Sequence, residues 1–424
     1  MATTTNVIEA LKYGYGVNQV LYLFNEESPT FNILSKVKKP LGGRGQFLMP
    51  IVVTNAGAFT GISEGGSLPS ALQPDTTEAS FSLQEYVGLY NVSWKLIQDA
   101  RTNKFAFEQA VKMLDDGLRR RIMRNLNSDL LDNGKGRLAV LPAADNSEPV
   151  TVNALPRVEP GMVVDIMDVD DDDTKRGDSL TVVGVDIINR AIELSGSPSS
   201  TGAGDYLVIQ DTTDVTDAVC LHSNGLLGVI NSANPATVVG NYGGINRSTN
   251  GLEMWQGGVL SNSGSNRPLT EDLLLQGMDM ARERGGAKFD AFMSNLAIIR
   301  RYHELLAGER YFALSKPGVL SGGIGRKGAG EDSKDGLTPY EFSGVPWYVD
   351  PFFNANVIIG MDTSHFFIGH GENEAPRPIS EIFDNIPFFR QTTSATFEVA
   401  WYYQMELISD NPAAGVQYQD IAES

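Results

Sequence analysis

The sequence predicts an α+β fold, and three observations carry that reading. One apolar stripe over residues 103–133 has helical spacing. Short runs with strand periodicity recur between 46 and 93 and again after 340. A β-rich stretch of different texture, 142–221, interrupts this order. A chain of 424 residues allows roughly two or three domains.

Residues 1–43 read as an arm. The apolar spots of "VNQVLYLFNEESPTFNILSKVKKPLGGRG" keep no period and end in glycine-rich turn chemistry. "QFLMPIVV" at 46–53 reads as a strand. Pro50 puts it at a sheet edge, because proline has no N–H to give to a ladder. "ASFSLQEYVGLYNVS" at 79–93 alternates. Phe81, Leu83, Val87 and Leu89 share a parity, which predicts one strand with one apolar face. Between the two strands lie about 25 residues rich in Gly, Ser, Thr and Pro, a length uncommon for a structureless loop inside a compact domain. Its centre, "GISEGGSLPSAL" at 61–72, has almost nothing to bury.

Val111, Leu114, Leu118, Ile122, Leu126 and Leu130 recur at steps of three and four, making one face of a helix over 103–133. Asn133-Gly134 stops it. Such a helix is roughly 40–45 Å long and can act as a strut. In 142–221, "PRVEPGMVVDIMDV", "DSLTVVGVDIINRAIELSG" and "GDYLVIQD" predict a small antiparallel β-domain inserted into the chain. Asp168, Asp170, Asp171, Asp172 and Asp173 fall between two of its strands and read as a solvated acidic hairpin tip. The D-x-D-x-D spacing invites a calcium loop. The glycine of the sixth place is Asp173 and the glutamate of the twelfth is Ser179, which leaves only a weak adventitious cation site as the other reading.

After 222 the pattern is mixed. Thr270 followed by two acids predicts a helix N-terminus, and Gly285-Gly286 its end. A second helix is expected from Ser294 to Gly308, then a Gly/Lys/Ser-rich loop at 316–338. The strands "VPWYVD", "NVIIGMD", "HFFIGH" and the long "ATFEVAWYYQMELIS" follow.

Charge and motifs narrow the function. There are 33 basic and 52 acidic residues, a net charge of −19, so the chain is not built to grip a phosphate backbone. Cys220 is the one cysteine, which excludes an intrachain disulfide and fits a reducing compartment. No apolar run of about 18 residues predicts a membrane span. The N-terminus lacks the basic and apolar regions of a secretory signal. Gly323, Gly325 and Gly328 match G-x-G-x-x-G without the strand and helix a dinucleotide site needs, and read as a surface loop. His303-Glu304 lacks the second histidine of a zinc helix, Ala307 standing in its place. His365 and His370 lie in or beside a strand, five apart, hence on opposite faces. No P-loop G-x-x-x-x-G-K is present. These readings predict no cofactor, no metal and no enzyme, with an α+β enzyme of unrecognised type as the alternative from another class.

Four arginines, Arg119, Arg120, Arg121 and Arg124, crowd the long helix. Three readings stand: local pairing with Asp115 and Asp116 one turn earlier, contact with a neighbouring subunit's acids, and contact with DNA.

The order of elements and several blocks resemble the major capsid proteins of tailed bacteriophages, the Hong Kong 97-type capsid fold. Glu64-Gly65 with Pro69, then "FSLQEYVGLYNVSWKLIQDA", resembles that family's E-loop returning to its helix. Residues 103–133 resemble its spine helix, and "LLGVIN" at 226–231 the segment that enters its A-domain. "AFMSNLAIIRRYHELLAGERYF" resembles the A-domain helix, "FSGVPWYVDPFFNANVIIGMDTSHFFI" the strands after it, and "WYYQMELISDNPAAGVQY" the terminal strand. The resemblance covers most of 40–141 and 222–424. It implies an N-terminal arm at 1–43, an E-loop with its strands at 44–93, and a P-domain at 94–141. The inserted β-domain is 142–221, an A-domain spans 222–355, and its end with returning P-domain strands fills 356–424.

The resemblance also implies function. The chain would assemble with itself into hexamers and pentamers of an icosahedral shell around double-stranded DNA, contacted weakly, in the virion capsid. Assembly would occur in the host bacterial cytoplasm. An encapsulin-like nanocompartment shell is the alternative within this fold. Gly61, Glu64, Gly65, Gly66 and Pro69 become candidate inter-subunit contacts, with Glu64 facing arginines of a neighbour's long helix. Some members join a lysine of the E-loop covalently to an asparagine. No lysine lies between Arg44 and Lys95, so no such cross-link is expected. No long charged helical prefix precedes the arm, so a separate scaffolding protein, or none, and little N-terminal processing are expected, with a portal as a further partner and a decoration protein as an optional one. The acidic tip of 142–221 is expected on the outer surface.

Overall fold

In the computed structural model the described residues are 29–38, 46–54, 57, 59–64, 66, 68, 70, 73–93, 104–153, 157–169, 174–210, 222–232, 241–247, 252, 255–313, 340–371, 376–378, 389–390 and 396–423. In chain order the elements begin with α1 (Pro29–Ile33), β1 (Ser35–Lys38), β2 (Gln46–Thr54), β3 (Asp75–Ser82), β4 (Gln84–Ser93) and α2 (Lys104–Leu131). Then come β5 (Arg137–Val140), β6 (Val150–Thr151), β7 (Val163–Met167), β8 (Lys175–Asp186), β9 (Ala191–Leu194) and β10 (Tyr206–Ile209). Next are α3 (Leu226–Val229), β11 (Gly258–Leu260), α4 (Glu271–Gly285), β12 (Ala291–Ser294), α5 (Leu296–Ala313), β13 (Tyr340–Phe342) and β14 (Val345–Val349). The chain closes with β15 (Ile358–Met361), β16 (Phe366–His370), β17 (Arg377–Pro378), β18 (Phe389–Arg390), β19 (Thr396–Ser409) and β20 (Gly415–Tyr418).

Strand β19 is the hub of the first sheet. Its 14 residues take β16 along one part and β4, β17 and β18 along the rest, while β1 adds to β16 in parallel. Such a strand is buried on its core face, and Tyr403, Met405 and Leu407 are almost fully enclosed. Helix α2 lies against β4. A Cβ on Gly88 would stand 2.6 Å from Ile122 Cδ1 and 3.1 Å from Leu118 Cδ1, so glycine is what lets the helix approach this closely. Leu126 and Leu130, from the same stripe, are buried in the shared core.

The second sheet runs β5-β10-β7-β8-β9-β6, antiparallel throughout, around its own core of Val150, Val164, Ile166, Val182, Ile192 and Leu207. It takes in β5, which begins before residue 142. The third sheet, β11-β20-β15-β12-β14-β13, mixes parallel and antiparallel pairs and packs with α4 and α5 around Phe292, Trp347 and Tyr418.

Several sequence expectations meet the structure directly. Thr270 caps α4, its side chain accepting from the Leu273 N–H. Gly286 ends the helix in the left-handed region at φ 63, where an L-residue is strained. Helix α2 is 104–131 rather than 103–133. The helix expected from Ser294 to Gly308 is displaced. Ser294 is the last residue of β12, the Asn295 side chain accepts from the Ile298 N–H, and α5 runs on to Ala313. The run "AFMS" is too short and too apolar to be separated from the helix by periodicity.

The strand expected over 79–93 is two. It breaks at Leu83, where β3 leaves its partner β2 and β4 enters the first sheet. The shared parity therefore does not make one apolar face. Phe81 is buried, but Val87 and Leu89 are each 57% exposed, because β4 turns Gly88 and Val92 toward the interior. The loop expected at 316–338, with its G-x-G-x-x-G, lies outside the described residues.

Candidate assembly interface

Strands β2 and β3 form a two-stranded ribbon of their own. Its base is anchored. Phe47 and Phe81 are each 3% exposed, their rings meet edge to face at 6.2 Å, and Phe81 packs on Tyr242 at 5.0 Å. The Ser80 N–H donates to the Gly243 carbonyl. Burial fades along β2, from Phe47 through the half-buried Met49 and Ile51, with Leu48 and Val52 on the open face. Pro50 sits in β2, whose one partner strand among the described residues is β3, so its missing N–H costs no ladder bond there on the other edge.

Beyond the strands the described residues are exposed. Phe59, Ile62 and Leu68 are all exposed, Phe59 completely. A two-stranded ribbon is marginal in water by itself, and three large apolar side chains at its tip add surface that wants cover. Gly61, Glu64 and Gly66 lie in this segment, all exposed, with a turn closed by the Gly66 N–H on the Ser63 carbonyl at 2.8 Å. Gly65 and Pro69 lie outside the described residues.

The arginines of α2 separate into two groups. Arg124 is 5% exposed and ion-pairs with Glu159, which the second sheet carries; Arg121 Nε stands 3.8 Å from the same carboxylate. Arg124 is thus corrected from an inter-subunit contact to an internal tie, set by the facing of one helix turn toward the β5–β10 region. Local pairing does not absorb Asp115 either, since its carboxylate accepts from Trp401 Nε1 at 2.9 Å. Arg119 and Arg121 are exposed, and Arg120 is half-buried.

Asp168 is also corrected. It is 7% exposed and ion-pairs with Arg176, so it belongs to the base of the β7–β8 connection and not to a solvated tip. Burial makes an unpaired carboxylate costly, and Arg176 on the facing strand removes that cost. Asp170, Asp171, Asp172 and Asp173 lie outside the described residues. Among the described residues no three His, Cys, Asp or Glu side chains gather as a metal site. Among them, too, no helix is long and apolar enough to cross a membrane.

Two buried polar knots, invisible to periodicity, hold the frame behind these surfaces. Asp350 accepts from the Thr30 hydroxyl at 2.7 Å and from Asn127 Nδ2 at 2.8 Å, while the Phe31 N–H donates to Asn127 Oδ1. This knot ties α1, α2 and the end of β14 together, and burial pushes the Asp350 carboxyl above its ordinary range. In the second knot, Asp129 pairs with His222 at 2.9 Å, and the Ser223 N–H donates to the Tyr86 hydroxyl. Glu406 accepts from the Asn224 backbone and side-chain N–H groups, and its burial pushes the carboxyl up to about 8. The residues are scattered from 30 to 406, so only spacing in three dimensions joins them.

No family model and no curated protein matches the chain. Solved structures do. The cyanophage A-1(L) capsid asymmetric unit aligns over 96% of both chains at a TM-score of 0.57 and 13% identity. Mycobacterium phage Ogopogo aligns over 96% of this chain and 98% of its own, with a TM-score of 0.43 and 8% identity. The SrpI encapsulin complex of Synechococcus elongatus PCC 7942 covers 98% and 96%, at 0.45 and 8%. The fold assignment rests on the first of these: the chain has the Hong Kong 97-type capsid fold over nearly its whole length.

Proposed function

We propose that the chain is a major capsid protein that assembles with itself into hexamers and pentamers of an icosahedral shell enclosing the double-stranded DNA of a tailed bacteriophage. The observation that carries the proposal is the β2–β3 ribbon, rooted at Phe47 and Phe81 and bare at Phe59, Ile62 and Leu68. Such a ribbon gains cover when it lies on a neighbour. The capsid fold supplies the kind of neighbour, a second copy of the same chain. A net charge of −19 suits a container wall along which packed DNA moves without adhering.

The division of labour follows from the same reading. The first sheet and α2 are the P-domain, the third sheet with α4 and α5 the A-domain, and the second sheet an insertion that begins with β5. Glu64 reaches the exposed Arg119 of a neighbour's α2. A scaffolding protein, a portal and a decoration protein are the accessory partners such a shell takes, and the virion capsid, assembled in the host cytoplasm, is its location.

The test is to replace residues 58–73 by a short Asn-Gly turn. The ribbon keeps its anchored base, so the subunit is expected to fold with its thermal midpoint within a few degrees of the parent and to sediment as small species only. Full shells from the shortened chain would defeat the proposal.

A further inference from the structure

The β8–β9 hairpin ends in two adjacent isoleucines, Ile187 and Ile188, which are 79% and 92% exposed. Single exposed apolar residues are common on protein surfaces. These two differ in being paired and held. Asp186 Oδ1 accepts from the Ile188 N–H at 2.9 Å and the Asn189 N–H at 3.1 Å, and its Oδ2 accepts from Asn189 Nδ2 at 2.6 Å. Arg190 completes the turn at φ 51. Its side chain donates to the Asn153 carbonyl, and its own carbonyl accepts from the Val152 N–H. The turn is therefore pinned at both ends.

Neither isoleucine helps to build the fold. The core beneath is closed by Val150, Val182, Ile192 and Leu194. Val183, on the same strand, is a third exposed apolar residue at 57%, displaced outward where the β8–β9 register shifts between Val182 and Gly184. An open groove runs beside the turn, lined by Glu148, Pro149, Gly184, Asp186 and Glu193. Glu148, Asp186 and Glu193 are all exposed, and the cation of the turn, Arg190, spends an N–H on Asn153. The surface is thus an apolar knob on an anionic rim.

We propose that this turn and groove dock a cationic amphipathic segment of a second protein, whose apolar side covers Ile187 and Ile188 and whose lysines or arginines reach Glu148, Asp186 and Glu193. An apolar centre with a charged rim is the build of a specific interface. A turn already locked in place loses little freedom on binding. The rim decides the occupant. Another copy of this face would set carboxylate against carboxylate, and the chain as a whole carries −19. Nucleic acid and anionic lipid bring the same sign and are repelled. The inference stands whether or not the chain closes into a shell.

The experiment titrates full-length protein with a fluorescent Leu/Lys amphipathic helix of about 16 residues, against a Leu/Glu helix of the same pattern. Saturable binding of the Leu/Lys peptide is expected. Ile187→Ser with Ile188→Ser should weaken it about tenfold or more, the loss typical of an interface anchor. Glu148→Gln with Glu193→Gln should weaken it too, and so should added salt. The double serine variant is expected to keep the parent's thermal midpoint, which separates docking from folding. Absence of binding, equal binding by the serine variant, or equal binding of the Leu/Glu peptide would overturn the proposal. A photo-crosslinker at position 188 that joins two copies of this chain without peptide would assign the face to self-contact and overturn it as well.

Discussion

Glu406 is a carboxylic acid enclosed by the core, 2% exposed, with Asn224 supplying the N–H groups that face one of its oxygens. Burial raises its pKa from 4.5 to about 8. The folded chain therefore holds a proton that the unfolded chain releases across that window. Folding stability is highest below about 4.5 with respect to this group, falls as pH rises, and levels off above about 8. Glu406→Gln should remove the dependence and raise stability at pH 8 by about 2 kcal/mol or more, since each tenfold change in proton affinity is worth about 1.4 kcal/mol. Denaturant melts at pH 5 and pH 8 check this; a parent and variant with parallel pH profiles would contradict it. Arg124 gives a second prediction. Arg124→Ala leaves Glu159 without its closest cation and should cost about 3 kcal/mol. Arg119→Ala on the exposed side of the helix should stay within about 0.5 kcal/mol in the unassembled subunit. Chemical denaturation of the two variants separates an internal tie from a surface charge.

Among the elements, what was legible in the sequence followed local rules. Thr270 and Gly286 bound α4 because a hydroxyl cap and a left-handed glycine act within one turn. The stripe of α2 was legible because Leu118, Ile122, Leu126 and Leu130 all face one side. Strand β12 was hidden, since four buried residues running straight into a helix carry no period of their own. Val87 and Leu89 were misleading because parity says nothing about a strand that changes sheets at Leu83. Asp168 was misread because its partner, Arg176, is a cross-strand neighbour whose position only the β7–β8 register reveals. The bare ribbon tip, by contrast, was readable from composition alone, since Gly, Ser and Pro around Glu64 cannot bury one another. If that tip meets a neighbour's helix through charge, Glu64→Arg and Arg119→Glu should each lower assembly yield, and the two together should restore it in part. Light scattering on the four chains measures this, and additive losses in the double variant would argue against the pairing.

At the level of the whole molecule, three sheets with separate cores share one frame, tied by Asp350 and Glu406 and, for the second sheet, by the Arg124–Glu159 pair and the Arg157 bond to the Phe352 carbonyl. The chain aligns over 96% of its length with the cyanophage A-1(L) capsid asymmetric unit at 13% identity, a likeness of fold. Contents distinguish the two kinds of shell: DNA that resists nuclease until the particles are opened fits a phage head, and enclosed protein fits a nanocompartment. Electron microscopy of the expressed full-length chain tests the central claim most directly. The account predicts closed particles with icosahedral symmetry in which each ribbon tip lies on an adjacent subunit. A monodisperse 46.0 kDa monomer that forms neither rings nor shells under any assembly condition would contradict it.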